Sequence, residues 1–496
     1  MGEKVTRKSF SDQDYEDFDR VLHTQLGVLK EVIRSPDFGT DPLCVGAELE
    51  MYLVDRHATV CPKAAELMAA LDDPQYQAEI NKYNLELNLS HQPAKGTPFS
   101  GMLSELQQKA HHLDQVAEDM DITIVPIGIL PTLEQSHLER HYMTEELRYE
   151  VLSKQLADRR GRSFEINING EESVALSSND VTVEGANTSF QVHMMVEHAR
   201  FADIFNAAQL TVPLVTAVSG NSGILLGNRL WDETRVALFK QSLDTRVAGE
   251  VPWQAAARVS FGQGWIRDDS WEIFAETVAL FEPVLPILGK EDAEHAWRQG
   301  DLPRFDELKL QMGTSWPWHR AVYSRQGQGH VRIEFRAIPA GPTPLDMMAN
   351  AAFAMGLAVG MADEIKDFIA VVPFRYAEYN FYRAAQSGMD AKILWPSGPY
   401  CRPVEQPVRN VLDQMFEYAS KGLRQLEIED AEIDTYLGII EKRIHVGQTG
   451  ARWTKNGHRY LENLYGKKKA SEMVTHLYLQ NSRNGNPVAE WEPIWS

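Results

Sequence analysis

Residues 43–54 read Leu-Cys-Val-Gly-Ala-Glu-Leu-Glu-Met-Tyr-Leu-Val. In an extended strand successive side chains point to opposite faces. Period two therefore puts Gly46, Glu48, Glu50 and Tyr52 on one face and Val45, Ala47, Leu49, Met51 and Leu53 on the other. Three further segments have the same design. Asn84, Glu86 and Asn88 oppose Leu85, Leu87 and Leu89; Ser189, Gln191 and His193 oppose Phe190, Val192, Met194 and Val196; Arg332, Glu334 and Arg336 oppose Val331, Ile333 and Phe335. An apolar back and a polar front describe an antiparallel sheet covered by helices on one side. If the four segments are neighbours, the front collects four carboxylates, one imidazole and two guanidinium groups.

Around these segments the spacing predicts helices. Residues 1–40 read as a helical lead-in carrying Phe18, Val21, Leu22, Leu26, Leu29 and Val32, and 102–120 as an amphipathic helix. Further helices are expected near 136–160 (a charged, solvated excursion), 200–216, 231–241, 270–288 and 346–370, and through most of the last 90 residues. Strands are expected at 121–131, 164–169 and 187–196. No repeat or long linker divides the chain. Strands and helices do not alternate strictly, so the fold class is α+β, one large domain on an antiparallel sheet.

The chain has 496 residues, with 49 Lys+Arg against 70 Asp+Glu, a formal charge of −21. This acidic balance argues against a general nucleic-acid binder and against a protein held on anionic lipid by a basic surface. It leaves small anionic ligands open, because a pocket can differ in sign from the whole surface. The start has no signal-peptide core, and the apolar stretches near 204–228 and 347–362 read as buried segments, not membrane spans. Cys44, Cys61 and Cys401 cannot form a disulfide framework. The expectation is a cytoplasmic protein with no nucleic-acid or membrane partner; a homo-oligomer stays open.

Carboxylates packed on one sheet face repel one another unless cations sit between them. An oxygen-rich set with one imidazole suits Mg²⁺ or Mn²⁺ better than zinc. Arginines on the same face match phosphate oxygens. Together these are the parts needed to hold ATP and a transferring phosphoryl group. The plain alternative is the wet side of an ordinary sheet, and a lone E-x-E or His is weak evidence by itself.

The motifs Gly-Ala-Glu-Leu-Glu at 46–50, Asn-Leu-Glu-Leu-Asn at 84–88, Phe-Gln-Val-His-Met at 190–194 and Arg-Ile-Glu-Phe-Arg at 332–336 resemble the glutamate–cysteine ligase type 2 family of carboxylate–amine ligases. Supporting stretches are 229–235, the segment following the last strand, 379–388 and 449–453. The resemblance implies a glutamine-synthetase-like fold whose antiparallel sheet floors the active site, with helices on its outer face. It implies a lead-in at 1–40, a catalytic domain at 41–455 and a helical extension at 456–496. It assigns Glu48, Glu50, Glu86, His193 and Glu334 to Mg²⁺ or Mn²⁺. It gives Arg336, Arg332 and Arg235 catalytic anion-handling roles, and places Arg229, Arg320 and Gln191 at the nucleotide. Many members have His-Val-His where this chain has Gln191-Val192-His193, which puts the second-metal ligand set in question.

The implied reaction is ATP-dependent amide formation through an acyl phosphate, with glutamate as the acid and cysteine or another amine as the acceptor. Two alternatives stay open: a guanidino-kinase-like phosphotransferase on the same fold, and a non-catalytic relative with a binding or regulatory role. Trp316 and Trp318 are candidate amine-pocket residues, with packing as the plainer role. Gly-Gln-Gly-Trp at 262–265 and Gly-Gln-Gly-His at 327–330 read as loops. No P-loop motif is present, so ATP would bind in another way.

Overall fold

The computed structural model describes residues 5, 7–247, 255–397 and 401–495; residues 1–4 and 6 of the expected lead-in and Ser496 of the extension lie outside them. Its centre is an eight-stranded sheet. We label its strands β1 (Cys44–Val54), β2 (Tyr76–Ala78), β3 (Asn84–Asn88), β4 (Gln92–Pro93), β5 (Thr123–Val125), β6 (Phe190–Met195), β7 (His319–Ser324) and β8 (His330–Phe335). The order across the sheet is β7-β8-β6-β1-β3-β2, every pairing antiparallel, with β4 and β5 also pairing with β1. The four segments with polar fronts are therefore consecutive strands, β8-β6-β1-β3.

The backs of these strands build the core. Leu49, Met51, Leu85, Leu87, Phe190, Val192, Met194, Ile333 and Phe335 are all buried. Each such side chain contributes about 1.5–3 kcal/mol on removal from water. Helices Phe201–Ser219 and Pro344–Met361 form the heart of the covering layer and are buried along nearly their whole length. Both are long and apolar enough to cross a membrane, yet 94% and 89% of their most apolar windows are buried inside the protein. They are the expected core segments.

The helix Pro344–Met361 packs on Val408–Gln425 through glycine faces. A Cβ on Gly356 would lie 2.5 Å from the Ala419 carbonyl oxygen. The C-terminal helices are tied in by a fully buried ion pair, Arg443 to Asp346 at 2.7 Å. Arg443 also donates to the Val218 carbonyl and Asn350, and Asp346 accepts from the Val488 amide. Removing one partner of such a pair costs ~3–5 kcal/mol. Helix Gly450–Tyr465 runs across the position where the helical extension was expected to begin.

Several expected elements differ in extent. The helix expected at 270–288 spans only Trp271–Leu280, because Pro283 disfavours helix just before it and Pro286 cannot donate within it. The helix expected at 346–370 is two, Pro344–Met361 and Ile365–Val371. The break carries Asp363 and Glu364, which turn outward to Arg200 and Lys421. The helix expected at 231–241 begins at Arg235. The expected excursion at 136–160 is two short 3₁₀ turns followed by Leu147–Arg160, whose Val151, Leu152 and Leu156 are buried. The strand expected at 121–131 shortens to Thr123–Val125 before Pro126. The strand Phe164–Asn169 exists but forms a separate hairpin with Ser173–Ser178. All three cysteines are free thiols.

Candidate active site

Register places the front side chains opposite one another. Glu50 faces Glu86 across β1 and β3, Glu48 faces Gln191 across β1 and β6, His193 faces Glu334 across β6 and β8, and Glu334 faces Arg320 across β8 and β7. Directly opposed residues have Cβ atoms about 4.5–5.5 Å apart, so their head groups meet.

Two acidic pockets result. In the first, ligand atoms of Glu48, His193 and Glu334 lie within 4.8 Å of one another. The Nε2 of His193 pairs with Glu48 at 2.9 Å. Arg332 Nε donates to the Nδ1 of the same ring at 3.1 Å, which fixes the ring's orientation. In the second pocket, atoms of Glu50, Glu79 and Glu86 meet the same 4.8 Å criterion. Glu79 and Glu86 are hydrogen-bonded to each other, and Asn88 donates to Glu86 at 2.6 Å.

Burial and mutual repulsion raise Glu79 and Glu86 above the usual carboxylate range, whereas Arg235 and Arg336 oppose the effect of burial on Glu50. Burial, with the charges of Glu50 and Glu184 next, pushes Glu79 up to about 8. Burial, then Glu50, does the same for Glu184, also to about 8. Burial and three neighbouring carboxylates raise Glu86 strongly. Glu334 goes the other way despite its burial, because Arg320 and Arg336 hold it ionised far below the ordinary carboxylate range. Arg320 grips it with two nitrogens, one at 2.9 Å, and Arg336 Nη1 donates at 2.7 Å.

The two pockets fit divalent cations. The first offers two carboxylates and one imidazole whose ligand atoms lie within 4.8 Å of one another. The second gathers carboxyls that cannot all ionise without a cation between them.

The remaining expected residues divide. Gln191 bridges the pockets, donating to Glu50 at 2.8 Å and accepting from Arg336 at 2.6 Å. Arg235 is buried behind the front, where it pairs with Glu233 at 3.1 Å and donates to the backbone carbonyls of Arg336 and Ala337. Its charge reaches Glu50. Arg229 is not brought to the pockets. It pairs with Glu171, Glu172 and Glu462 and contacts His458 of helix Gly450–Tyr465, and these carboxylates already neutralise its charge. Trp318 is buried against Phe239 and Phe381, and Trp316 also packs on Phe239. Both are packing residues.

Glu79 and Glu184 escaped the sequence reading. Glu79 lies just past the three-residue strand β2, and Glu184 lies in a 3₁₀ turn. Neither sits in a period-two run long enough to show a face. Gln77 faces Glu86 across the pairing of β2 with β3, and Glu79 lies two residues on from Gln77, which is the signal that could have found one of them.

The profile of glutamate–cysteine ligase family 2 matches residues 44–471, a span that takes in every strand of this sheet and all residues of both pockets. The chain belongs to the glutamate–cysteine ligase family 2. Membership makes it a carboxylate–amine ligase by class. Among curated proteins none matches the chain. Among solved structures it is similar to a glutamate–cysteine ligase from Francisella tularensis in complex with AMP, with 12% identity, 90% of each chain covered and a TM-score of 0.51. That likeness shows that this family member shares the antiparallel-sheet fold. A bifunctional glutathione synthetase from Pasteurella multocida is also similar, at 10% identity and a TM-score of 0.48; the match covers 94% of this chain and 55% of that one.

Proposed function

We propose that this family member is an ATP-dependent ligase that joins a carboxylate, most simply the γ-carboxyl of glutamate, to an amine. The observation that carries this reading is the placement of two cation-sized acidic pockets beside Arg320, Arg332 and Arg336 on one sheet face. AMP bound to the Francisella enzyme supports a nucleotide substrate.

Glu48, His193 and Glu334 would hold one Mg²⁺ or Mn²⁺, and Glu50, Glu79 and Glu86 a second. Bound there, the cations would supply charge neutralisation for the phosphates. The substrate carboxylate attacks the γ-phosphorus, the bond to the ADP oxygen breaks, and an acyl phosphate forms. The amine nitrogen then attacks the acyl carbon, phosphate leaves and the amine loses a proton. Arg336 and Arg320, gathered on Glu334, would transfer hydrogen bonds to phosphate oxygens as negative charge develops. Arg332 orients His193 and offers its free end to an anion. Gln191 spaces the two pockets as a hydrogen-bonding bridge. Arg235 acts as a strut under the β8 end. Residues 41–455 form the catalytic region in this reading, and the protein works in the cytoplasm on small molecules, without nucleic acid or membrane.

The test is ADP release from Mg²⁺-ATP with glutamate and a panel of amino acids and amines, with the product mass measured. Amine-dependent ADP and a condensed product are expected. A stable phosphorylated product without amine would instead mark a phosphotransferase, and no acid- and amine-dependent ADP would reject the ligase reading.

A further inference from the structure

A cavity of about 450 Å³ lies on the opposite side of the sheet edge from the acidic pockets. Its walls come from helix Phe201–Ser219, helix Trp271–Leu280, strand β7 and the loop that carries Gly-Gln-Gly-Trp at 262–265. His319 and Arg320 are adjacent in β7 and so point to opposite faces. Arg320 grips Glu334 in front, whereas His319 belongs to the cavity wall. The cavity is separate from the candidate active site, and its volume is that of a small-molecule pocket.

Its chemistry is specific. Phe205, Trp265, Ile273 and Phe281 supply apolar and aromatic wall. Most of the polar groups are already paired. Gln209 donates to the Phe261 carbonyl and its oxygen meets the His319 Nδ1 at 2.6 Å. Arg258 donates to the carbonyls of Thr314 and Glu282. Glu272 accepts from the Arg267 and Asp268 amides and pairs with the Arg267 side chain.

One acidic group is left without a partner. The Glu276 carboxyl, half-buried in the wall, has neither hydrogen bond nor ion pair among the described residues. Burial, with the charge of Glu272 one turn earlier next, pushes its carboxyl up to about 7. A carboxyl in apolar surroundings beside a like charge favours a cationic partner.

We propose that this cavity is a second, non-catalytic binding site for an organic ammonium compound that has an aromatic body. The ammonium pairs with Glu276, and the ring lies among Phe205, Ile273 and Phe281. The site does not depend on the ligase reading, since no nucleotide or front-face residue takes part.

The test uses the full chain without nucleotide, titrated calorimetrically with tyramine and, separately, with its carboxylate counterpart hydroxyphenylpropionate. Tyramine is expected to bind and the carboxylate to bind at least about tenfold more weakly, the worth of one charge-assisted hydrogen bond. Glu276→Gln should reduce tyramine affinity by about the same factor. Glu48→Gln on the front face should leave it unchanged. No tyramine binding, equal binding of the carboxylate, or full affinity in Glu276→Gln with an unshifted melting temperature would each overturn the proposal. The comparison of the two ligands on the unaltered protein stands whether or not any variant folds.

Discussion

Gln191 donates its side-chain amide to the Oε1 of Glu50 at 2.8 Å, from strand β6 to its neighbour β1. Its oxygen accepts from Arg336 at 2.6 Å. One neutral amide thus joins a carboxylate of the second acidic pocket to an arginine that holds Glu334 of the first. An imidazole at this position could ligate a cation. The amide here has both ends engaged and acts as a spacer.

Replacing Gln191 by Leu should therefore leave Glu50 and Arg336 each short of a partner. The expected cost is ~1–3 kcal/mol of stability and roughly 10–100-fold of ADP-forming activity, as for residues that orient metal ligands. Chemical unfolding and the ADP assay read the two effects. Full activity with unchanged stability would show that the bridge does nothing.

Divalent cations should stabilise the protein against heat, because the folded state gathers the ligands and the unfolded chain does not. At a cation concentration about a hundredfold above Kd the gain is about 2.7 kcal/mol. Glu48→Gln and Glu79→Gln should each remove part of the Mn²⁺-dependent rise in melting temperature, since they sit in different pockets. If both variants keep the whole rise, the cations bind elsewhere.

Gly356→Ala should destabilise, against its helix propensity. A helix-interior Gly→Ala change ordinarily gains about 0.5–1 kcal/mol. Here the new methyl would meet the Ala419 carbonyl at 2.5 Å, and overpacking of that kind costs typically 1–3 kcal/mol. A Cβ added at Gly438, in helix Asp430–Val446, would have nothing within 4 Å, so Gly438→Ala should be neutral or stabilising. Opposite signs in urea unfolding are the expected result.

Acid should weaken the fold through buried imidazoles. Burial lowers His319 to about 3, and His330 and His458 to about 4. In the unfolded chain each titrates near 6.5. Between pH 6.5 and 4 the unfolded state binds more protons, so the stability these neutral rings contribute is present above 6.5 and falls as pH drops toward their folded values. Each contributes a slope of ~1.4 kcal/mol per pH unit in that window. Urea unfolding from pH 7.5 to 4.5 measures the total, and His458→Gln should flatten it; an unchanged slope would rule out a contribution from His458.

The sequence by itself determined the sheet's two faces. Period two is a local property of an extended chain, so Glu48 with Glu50, Asn84 with Glu86, Gln191 with His193 and Glu334 with Arg336 could be placed on a common side without knowing their neighbours. Pro283 also ends a helix by local sterics, a signal that was there to be read. Tertiary structure alone decided which charges meet. Glu79 follows a strand of three residues and Glu184 stands in a 3₁₀ turn; only the pairing of β2 with β3 and the packing of that turn deliver them to Glu50. Arg229 looked equivalent to Arg235 on the chain, yet it turns to Glu171, Glu172 and Glu462 while Arg235 is buried within reach of Glu50. A side chain's type sets the chemistry it can perform, but the charge environment that selects a metal ligand, a strut or a surface ion pair depends on residues far away in sequence, and that environment exists only once the strands are in register.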